Sequence, residues 1–329
     1  MTSMAASGSA SMSEPVAGVS ISDELPQAAA AAALLRRAWS APPMRYSDEY
    51  VAWQLSAPGG TTRGIAARSD GRLVGFVAAI PRRIADRADT PRSIPVVSLF
   101  AVDPAYRGAG IGRRLVADLY DAVGPELLLY TEPQSRAEHL FASEAAAREW
   151  FFMRMAELRT YVGGRSQPVS PLVVAQECRI DEFLEAIRSF GPTSGSNSRP
   201  TRQQASHYLD DPRGAMLTVA RGPHDQPCAA ALIIRSELMT TSGAQFTPSL
   251  DSVWARSDDH AALAAFATLA IDRSSDAAVV TAPNLSHMSP GAVRGAGFRA
   301  TRSSFSFTVI AGSRDSWAAH ISGTNLEVF

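Results

Sequence analysis

The stretch Ser98-Leu-Phe-Ala-Val-Asp-Pro-Ala-Tyr-Arg107-Gly-Ala-Gly-Ile-Gly112-Arg-Arg-Leu-Val-Ala-Asp-Leu-Tyr120 decides how the rest of the chain is read. An apolar strand runs into a glycine-rich loop, and the loop opens a helix with Ile111, Leu115, Val116, Leu119 and Val123 on one face. The first N–H groups of a helix lack intrahelical partners and sit at the positive end of its dipole, so such a junction attracts an anion. Arg107, Gly108, Gly110 and Gly112 leave the backbone there bare of side chains, which lets a phosphate come close. The phosphate site read from this stretch is Arg107, Gly108, Ala109, Gly110, Ile111, Gly112 and Arg113. Arg107 and Arg113 would each add a charge-assisted contact, while Arg114 is expected to face solvent.

Outward from this junction the elements alternate. Residues 62–68 and 73–80 read as an antiparallel hairpin around Ser69-Asp70-Gly71-Arg72, and residues 95–102 as the strand that delivers the chain into the loop. Upstream, residues 26–40 suggest a helix, and Ser47 looks like the N-cap of a short one that carries Tyr50, Val51 and Trp53 and ends at Pro58-Gly59-Gly60. Downstream, a buried strand is expected at 127–131, a helix at 144–155, and a strand at 158–162 that closes the sheet.

Gly163-Gly164 and the proline–serine run to Pro171 mark a boundary. This divides the chain into a disordered tail at 1–20, a first domain at 21–164 and a second at 165–329, with a low-complexity loop at 190–200. The order then repeats: helix 201–208, strands 216–221, 229–237 and 252–256, helix 260–271, strand 277–281, helix 288–295, strand 301–309. Where the second half should have its own glycine loop it has Ala255-Arg-Ser-Asp-Asp-His260, and two carboxylates there would repel a phosphate.

Composition bounds the rest. A chain of 329 residues gives a prior of two domains, and 46% hydrophobic with 19% charged residues is ordinary for a globular protein. A formal net charge of −1 gives no global attraction to nucleic acid or an anionic membrane. Every basic side chain other than histidine is arginine, which reflects coding bias rather than function. Cys178 and Cys228 lack the spacing of a zinc site or a disulfide framework, and the six histidines show no pairing that would collect a metal. No apolar run spans a bilayer and residues 1–20 lack a signal-peptide pattern, so the expectation is a soluble protein of a reducing cytoplasm.

The Arg-x-x-Gly-x-Gly pattern, with its strand before and helix after, resembles the acyl-CoA pyrophosphate loop of the GNAT superfamily of N-acyltransferases. The resemblance implies an α/β (α+β) fold of two tandem GNAT-like domains, each a mixed, mostly antiparallel sheet flanked by helices. It implies acyl-CoA or acetyl-CoA as co-substrate, without a metal, and an amine-bearing acceptor, peptide or small molecule, as partner. It also implies that the strand entering the loop splays from its neighbour, so that its free amides take the pantetheine arm and Phe100, Ala101 and Val102 join the ligand site. Leu99 and Phe100 would then stabilise the oxyanion.

Between Tyr46 and Tyr161 the segments Tyr46-Ser-Asp-Glu-Tyr, Trp53-Gln-Leu-x-x-Pro58-Gly, Leu73-Val-Gly-Phe-Val-Ala-Ala-Ile-Pro81, Leu129-Tyr-Thr131 and Arg148-Glu-Trp150 are similar to the eukaryotic N-myristoyltransferases, which are fused GNAT pairs. This likeness implies a long-chain donor, and GNAT enzymes of similar logic can take an acyl carrier protein instead of CoA. It also offers the C-terminal carboxylate, here on Phe329, as the base that frees the amine. Glu132, just beyond the strand at 127–131, lies near where the resemblance puts the thioester and is the first candidate for that base. The general-acid tyrosine of many GNAT helices is replaced by Trp150, Phe151 and Phe152, leaving Tyr130 or Tyr120 as substitutes. The alternatives are short-chain acetyl transfer to a small amine, as in the tandem GNAT enzymes of mycothiol synthesis, and a non-catalytic acyl-CoA sensor.

Overall fold

The computed structural model describes residues 18–39, 46–85, 91–165, 172–189, 196–198, 200–240, 243–274, 277–316 and 323–325. The first half contributes β1 (Val19–Asp23), α1 (Ala28–Ala38), α2 (Asp48–Leu55), β2 (Arg63–Ser69), β3 (Arg72–Ala85) and β4 (Pro91–Val102). After a 3₁₀ turn at Pro104–Tyr106 come α3 (Ile111–Val123), β5 (Glu126–Thr131), α4 (Arg136–Ala147) and β6 (Phe151–Gly164). The second half contributes β7 (Val174–Glu177), α5 (Ile180–Ser189), β8 (Ser196–Ser198), α6 (Arg202–Leu209), β9 (Met216–Arg221), β10 (Pro227–Thr240) and β11 (Gly243–Ala255). It ends with α7 (His260–Asp272), β12 (Val279–Ala282), α8 (Pro290–Gly295), β13 (Phe298–Ala311) and β14 (Gly323–Asn325).

Local chemistry accounts for most of these elements. The β2–β3 turn places Asp70 at φ 48° and Gly71 at φ 76°, the two left-handed residues that a tight hairpin requires. Ser47, Ser135, Thr201, Asp259 and Ser289 each cap a helix by accepting a backbone N–H. On α3 the residues Ile111, Leu115, Val116 and Leu119 are buried, as their spacing requires.

One continuous sheet runs through both halves in the order β1-β2-β3-β4-β5-β13-β6-β12-β11-β10-β9-β7, with β8 paired to β3 and β14 to β8. The neighbours are mostly antiparallel; β4–β5, β11–β12 and β8–β14 are parallel. Each half has lent a strand to the other. β13, near the end of the chain, pairs with β5 from Ser306↔Thr131 to Ala311↔Glu126, and β6 lies between β13 and β12. The strand expected at 158–162 therefore does not close the first sheet beside β5; it belongs to a longer strand that crosses to the second half.

Two further expectations change. The helix expected at 144–155 is α4, which starts at Arg136, and residues from Phe151 onward are already in β6. The physical reason is the cap: Ser135 accepts from the Glu138 amide and Glu138 accepts from the Gln134 amide, which fixes the first turn eight residues earlier than the apolar pattern suggested. Of the expected tail, residues 1–17 lie outside the described residues, whereas Val19 and Ser20 pair with Ser69 and Arg68 in β1.

Helices α3 and α4 cover one face of β2–β5, where Tyr120, Phe141 and Ala145 join Val74, Val77, Leu127 and Leu129 in a buried cluster. On the other face α1 and α2 pack against Phe76, Ala78, Leu99 and Ala101 and share one core with α5, α6 and β10. The halves are thus joined by strand exchange and by a common apolar interior.

Candidate active site

The site is made by β4 leaving its neighbour. β4 pairs with β5 only at Val96↔Leu128 and Val97↔Leu129. Directly after Val97 the β3–β4 register shifts, with Ala79 opposite Val97 and Ala78 opposite Leu99, so Ser98 is the extra residue of a bulge. From there β4 stays on β3 and parts from β5.

Hydrogen-bonding positions alternate along an antiparallel pair. Asp103 donates its N–H to the Val74 carbonyl at 2.8 Å. By that alternation, the amides of Ala101 and Leu99 also point at β3, and those of Phe100 and Val102 point into the gap that β5 has left. Of the two oxyanion candidates, Phe100 presents its amide to the splay and Leu99 turns its amide to Ala78.

At the end of β4 the loop turns through Gly108 at φ 87° and Gly110 at φ 79°, and Gly110 is the N-cap of α3 without a side-chain cap. A Cβ built on either glycine meets nothing within 4 Å, so these positions are glycine for their left-handed backbone and border open space. Gly112 differs: its Cβ would lie 3.3 Å from Leu140 and 3.5 Å from Phe100, and its bareness serves the packing of α3 on β4 and α4. Ala109 is exposed and Ile111 is buried. The first N–H groups of α3 have no side-chain cap.

The two arginines have protein partners. Arg107 donates through Nη2 to the Ala38 carbonyl at the end of α1, 2.6 Å away, and Arg113 pairs with Glu144 of α4 at 3.0 Å. Arg114 pairs with Asp118 at the surface. Arg107 thereby ties α1 to the loop.

The second half repeats the splay and not the cradle. β11 bulges at Asp251 against β10 and meets β12 only at Ser249↔Thr281. The following helix, α7, is capped by Asp259, whose Oδ1 accepts from the Ala262 amide at 2.9 Å. That carboxylate occupies a donor that α3 leaves open and adds the wrong charge for a phosphate.

Among the other candidates, Glu132 is exposed in the turn after β5. Phe329 lies outside the described residues; the last described element, β14, is held on β8. Tyr120 is buried in α3, donates to the Phe141 carbonyl at 2.9 Å, and burial raises its pKa well above the usual value. Tyr130 stacks on Phe307, on the sheet face opposite α4. Burial pushes the Cys178 thiol up to about 12 and the Cys228 thiol up to about 11, so neither is poised as a nucleophile. Among the described residues no group of three or more His, Cys, Asp or Glu side chains could hold a metal ion, and no helix is long and apolar enough to cross a membrane.

Sequence reasoning missed several polar groups. Glu138, 3% exposed, accepts from Arg154 Nε at 3.0 Å and Nη2 at 2.6 Å. Burial alone would raise its pKa, but the Arg154 guanidinium and the Gln134 amide outweigh this and hold it below the ordinary range. The spacing Ser135-x-x-Glu138 was a legible cap; nothing in the sequence pointed to Arg154. Between the halves, Trp53 donates to the His207 carbonyl at 2.7 Å and stacks on its ring. Arg213 lies 4.3 Å over the Tyr50 ring and is bound by Asp211 at 2.6 Å.

A bulged strand that leaves its parallel neighbour and runs into a helix marks a GNAT fold; both halves show it, and only the first adds an uncapped, glycine-opened helix start. Residues 28–143 match the family described as Acetyltransferase (GNAT) family. A curated relative, the mycothiol acetyltransferase of Rhodococcus opacus (strain B4), is 26% identical over 209 residues, covering 59% of this chain and 64% of that protein. The match thus spans less than two thirds of the relative's length. Among solved structures, N-myristoyltransferase of Saccharomyces cerevisiae with bound myristoyl-CoA superimposes with a TM-score of 0.64 at 12% identity, over 89% of this chain and 83% of that one. A tandem GNAT protein from the clavulanic acid biosynthesis pathway superimposes with a TM-score of 0.60 at 14% identity, over 91% of this chain and 100% of that one. These two likenesses are of fold. The matching family and the curated relative are both acetyltransferases by name.

Proposed function

We propose that this chain is an N-acyltransferase that moves an acyl group from acyl-CoA directly to an amine of a small molecule or peptide. The observation that carries the reading is the meeting, on one strand, of free amides in a gap and an open helix start. The diphosphate of CoA would lie on the N–H groups of Gly110, Ile111 and Gly112, and the pantetheine arm would run along the Val102 amide into the splay. The Phe100 amide would face the thioester oxygen; one such donor is commonly worth about 3–4 kcal/mol at the transition state.

The amine attacks the thioester carbon, the negative charge gathers on the oxygen at Phe100, and the C–S bond breaks to release CoA as thiolate. The proton lost by the amine goes to Glu132, directly or through water. Holding amine and thioester together supplies the remaining rate gain, and no acyl-enzyme is needed. The acceptor would lie between the halves, on the side that the second half covers.

The acyl group is read as short, because the curated relative with detectable sequence identity is an acetyltransferase by name. Native mass spectrometry of the full chain tests the reading by the mass of co-purified CoA thioester, followed by thiol release with acetyl-CoA and a panel of amines. Retention of a CoA thioester and amine-dependent thiol release are expected. Binding without release would make the chain a sensor, a retained acyl carrier protein would replace CoA as donor, and no CoA binding at all would refute the reading.

A further inference from the structure

Three hydroxyls are buried in a row beside the splay. Thr131 ends β5 and stands opposite Ser306 of β13, and Thr308 follows two residues on, on the same face. Their exposures are 9%, 0% and 0%; the two threonine hydroxyls have no hydrogen-bond partner, and the Ser306 hydroxyl reaches only the Glu138 carboxylate. Buried polar atoms in folded proteins nearly always have one, in protein, water or ligand. On this face the row continues the apolar Leu129 and Ile310, where valine or alanine would pack with no polar atom to satisfy.

The row also has a direction. Thr131 lies two residues past Leu129, the last β5 residue paired to β4, so it sits on the rim of the gap. It shares its sheet face with Phe100, whose ring packs edge-on against Phe141 of α4 at 5.7 Å. Farther in, the Ser306 hydroxyl helps hold the Glu138 carboxylate below its ordinary pKa, and Thr308 stands opposite Arg154 on β6. A group entering from the splay would meet hydroxyls first and a carboxylate–guanidinium pair last.

We propose that Thr131, Ser306 and Thr308 line an acyl-end pocket under α4 that selects a short acyl group carrying a neutral hydrogen-bonding substituent, a hydroxyl or an amide, over a plain alkyl group. The proposal rests on the reading of the splay as the thioester site and adds the class of acyl group. Hydroxyls both donate and accept, so they suit a neutral polar substituent. An alkyl chain would strip them of water and return nothing.

Calorimetry of the full chain with CoA, butyryl-CoA and 3-hydroxybutyryl-CoA tests it, since the two thioesters differ by one hydroxyl. The hydroxyacyl thioester is expected to bind about tenfold or more tighter than butyryl-CoA. Thr131→Val and Thr308→Val, which keep the side-chain shape, should abolish that preference and leave CoA affinity unchanged. Equal affinity for the two thioesters, or a preference that survives both substitutions, overturns the pocket while CoA binding still supports the splay. If CoA itself does not bind, the acyl-CoA reading falls and the pocket with it.

Discussion

Replacing Gly110 by alanine separates backbone strain from ligand binding, provided Gly71→Ala is made beside it. Both glycines are left-handed, at φ 79° and 76°, and a Cβ at either meets nothing within 4 Å, so the folded chain feels the same perturbation at each. An L residue forced into that region costs about 1–2 kcal/mol. Each variant should therefore melt a few degrees below the parent. At Gly71, in the β2–β3 turn, nothing further follows. At Gly110 the methyl group projects into the space assigned to the CoA diphosphate and displaces a charge-assisted hydrogen bond, a loss of about 1.5–3 kcal/mol. That corresponds to roughly 10- to 150-fold weaker CoA binding by calorimetry. Should Gly110→Ala bind CoA as tightly as Gly71→Ala while melting at the same temperature, the open space at the start of α3 is not a phosphate site.

Three other outcomes are expected. Glu132→Gln should leave CoA affinity unchanged and lower kcat by about a hundredfold or more, the usual worth of a general base, with the alkaline side of the rate profile restoring part of it; an unchanged kcat moves the base elsewhere. Glu138→Gln should lower the melting temperature at pH 7, because the ionised carboxylate holds Arg154 and the α4 cap. Since its pKa is depressed in the fold, that advantage is complete above the ordinary value of 4.5 and disappears as pH falls through the folded value. A melting gap that is constant from pH 7 to 3 would contradict the ion pair. The double variant Cys178→Ala, Cys228→Ala should turn over thioester at the parent rate, and loss of activity with retained fold would point to a covalent route.

Much of the first half was legible because its signals are local. The Asp70-Gly71 turn, the Ser47 cap and the buried stripe of α3 each follow from residues a few positions apart. The start of α4 is marked in the sequence too, by the Ser135-x-x-Glu138 cap. Arg107 illustrates the opposite case. Its charge and place beside the glycines suggested a phosphate contact, yet the Ala38 carbonyl that holds it lies 69 residues away. No pattern around Arg107 announces that partner.

The sequence by itself determined where the chain turns left-handed, where helices begin and which face of each is apolar, and so it located the cradle. It did not determine which amide of β4 faces the gap, because that depends on the bulge at Ser98 and on the register with β3. Nor did it determine that β13 fills the place beside β5 and β6 crosses to β12. Both strands carry apolar side chains that suit either sheet, and the choice is made only when strands more than a hundred residues apart compete for the same row of backbone donors and acceptors. The buried hydroxyls of Thr131, Ser306 and Thr308 come together only through that exchange.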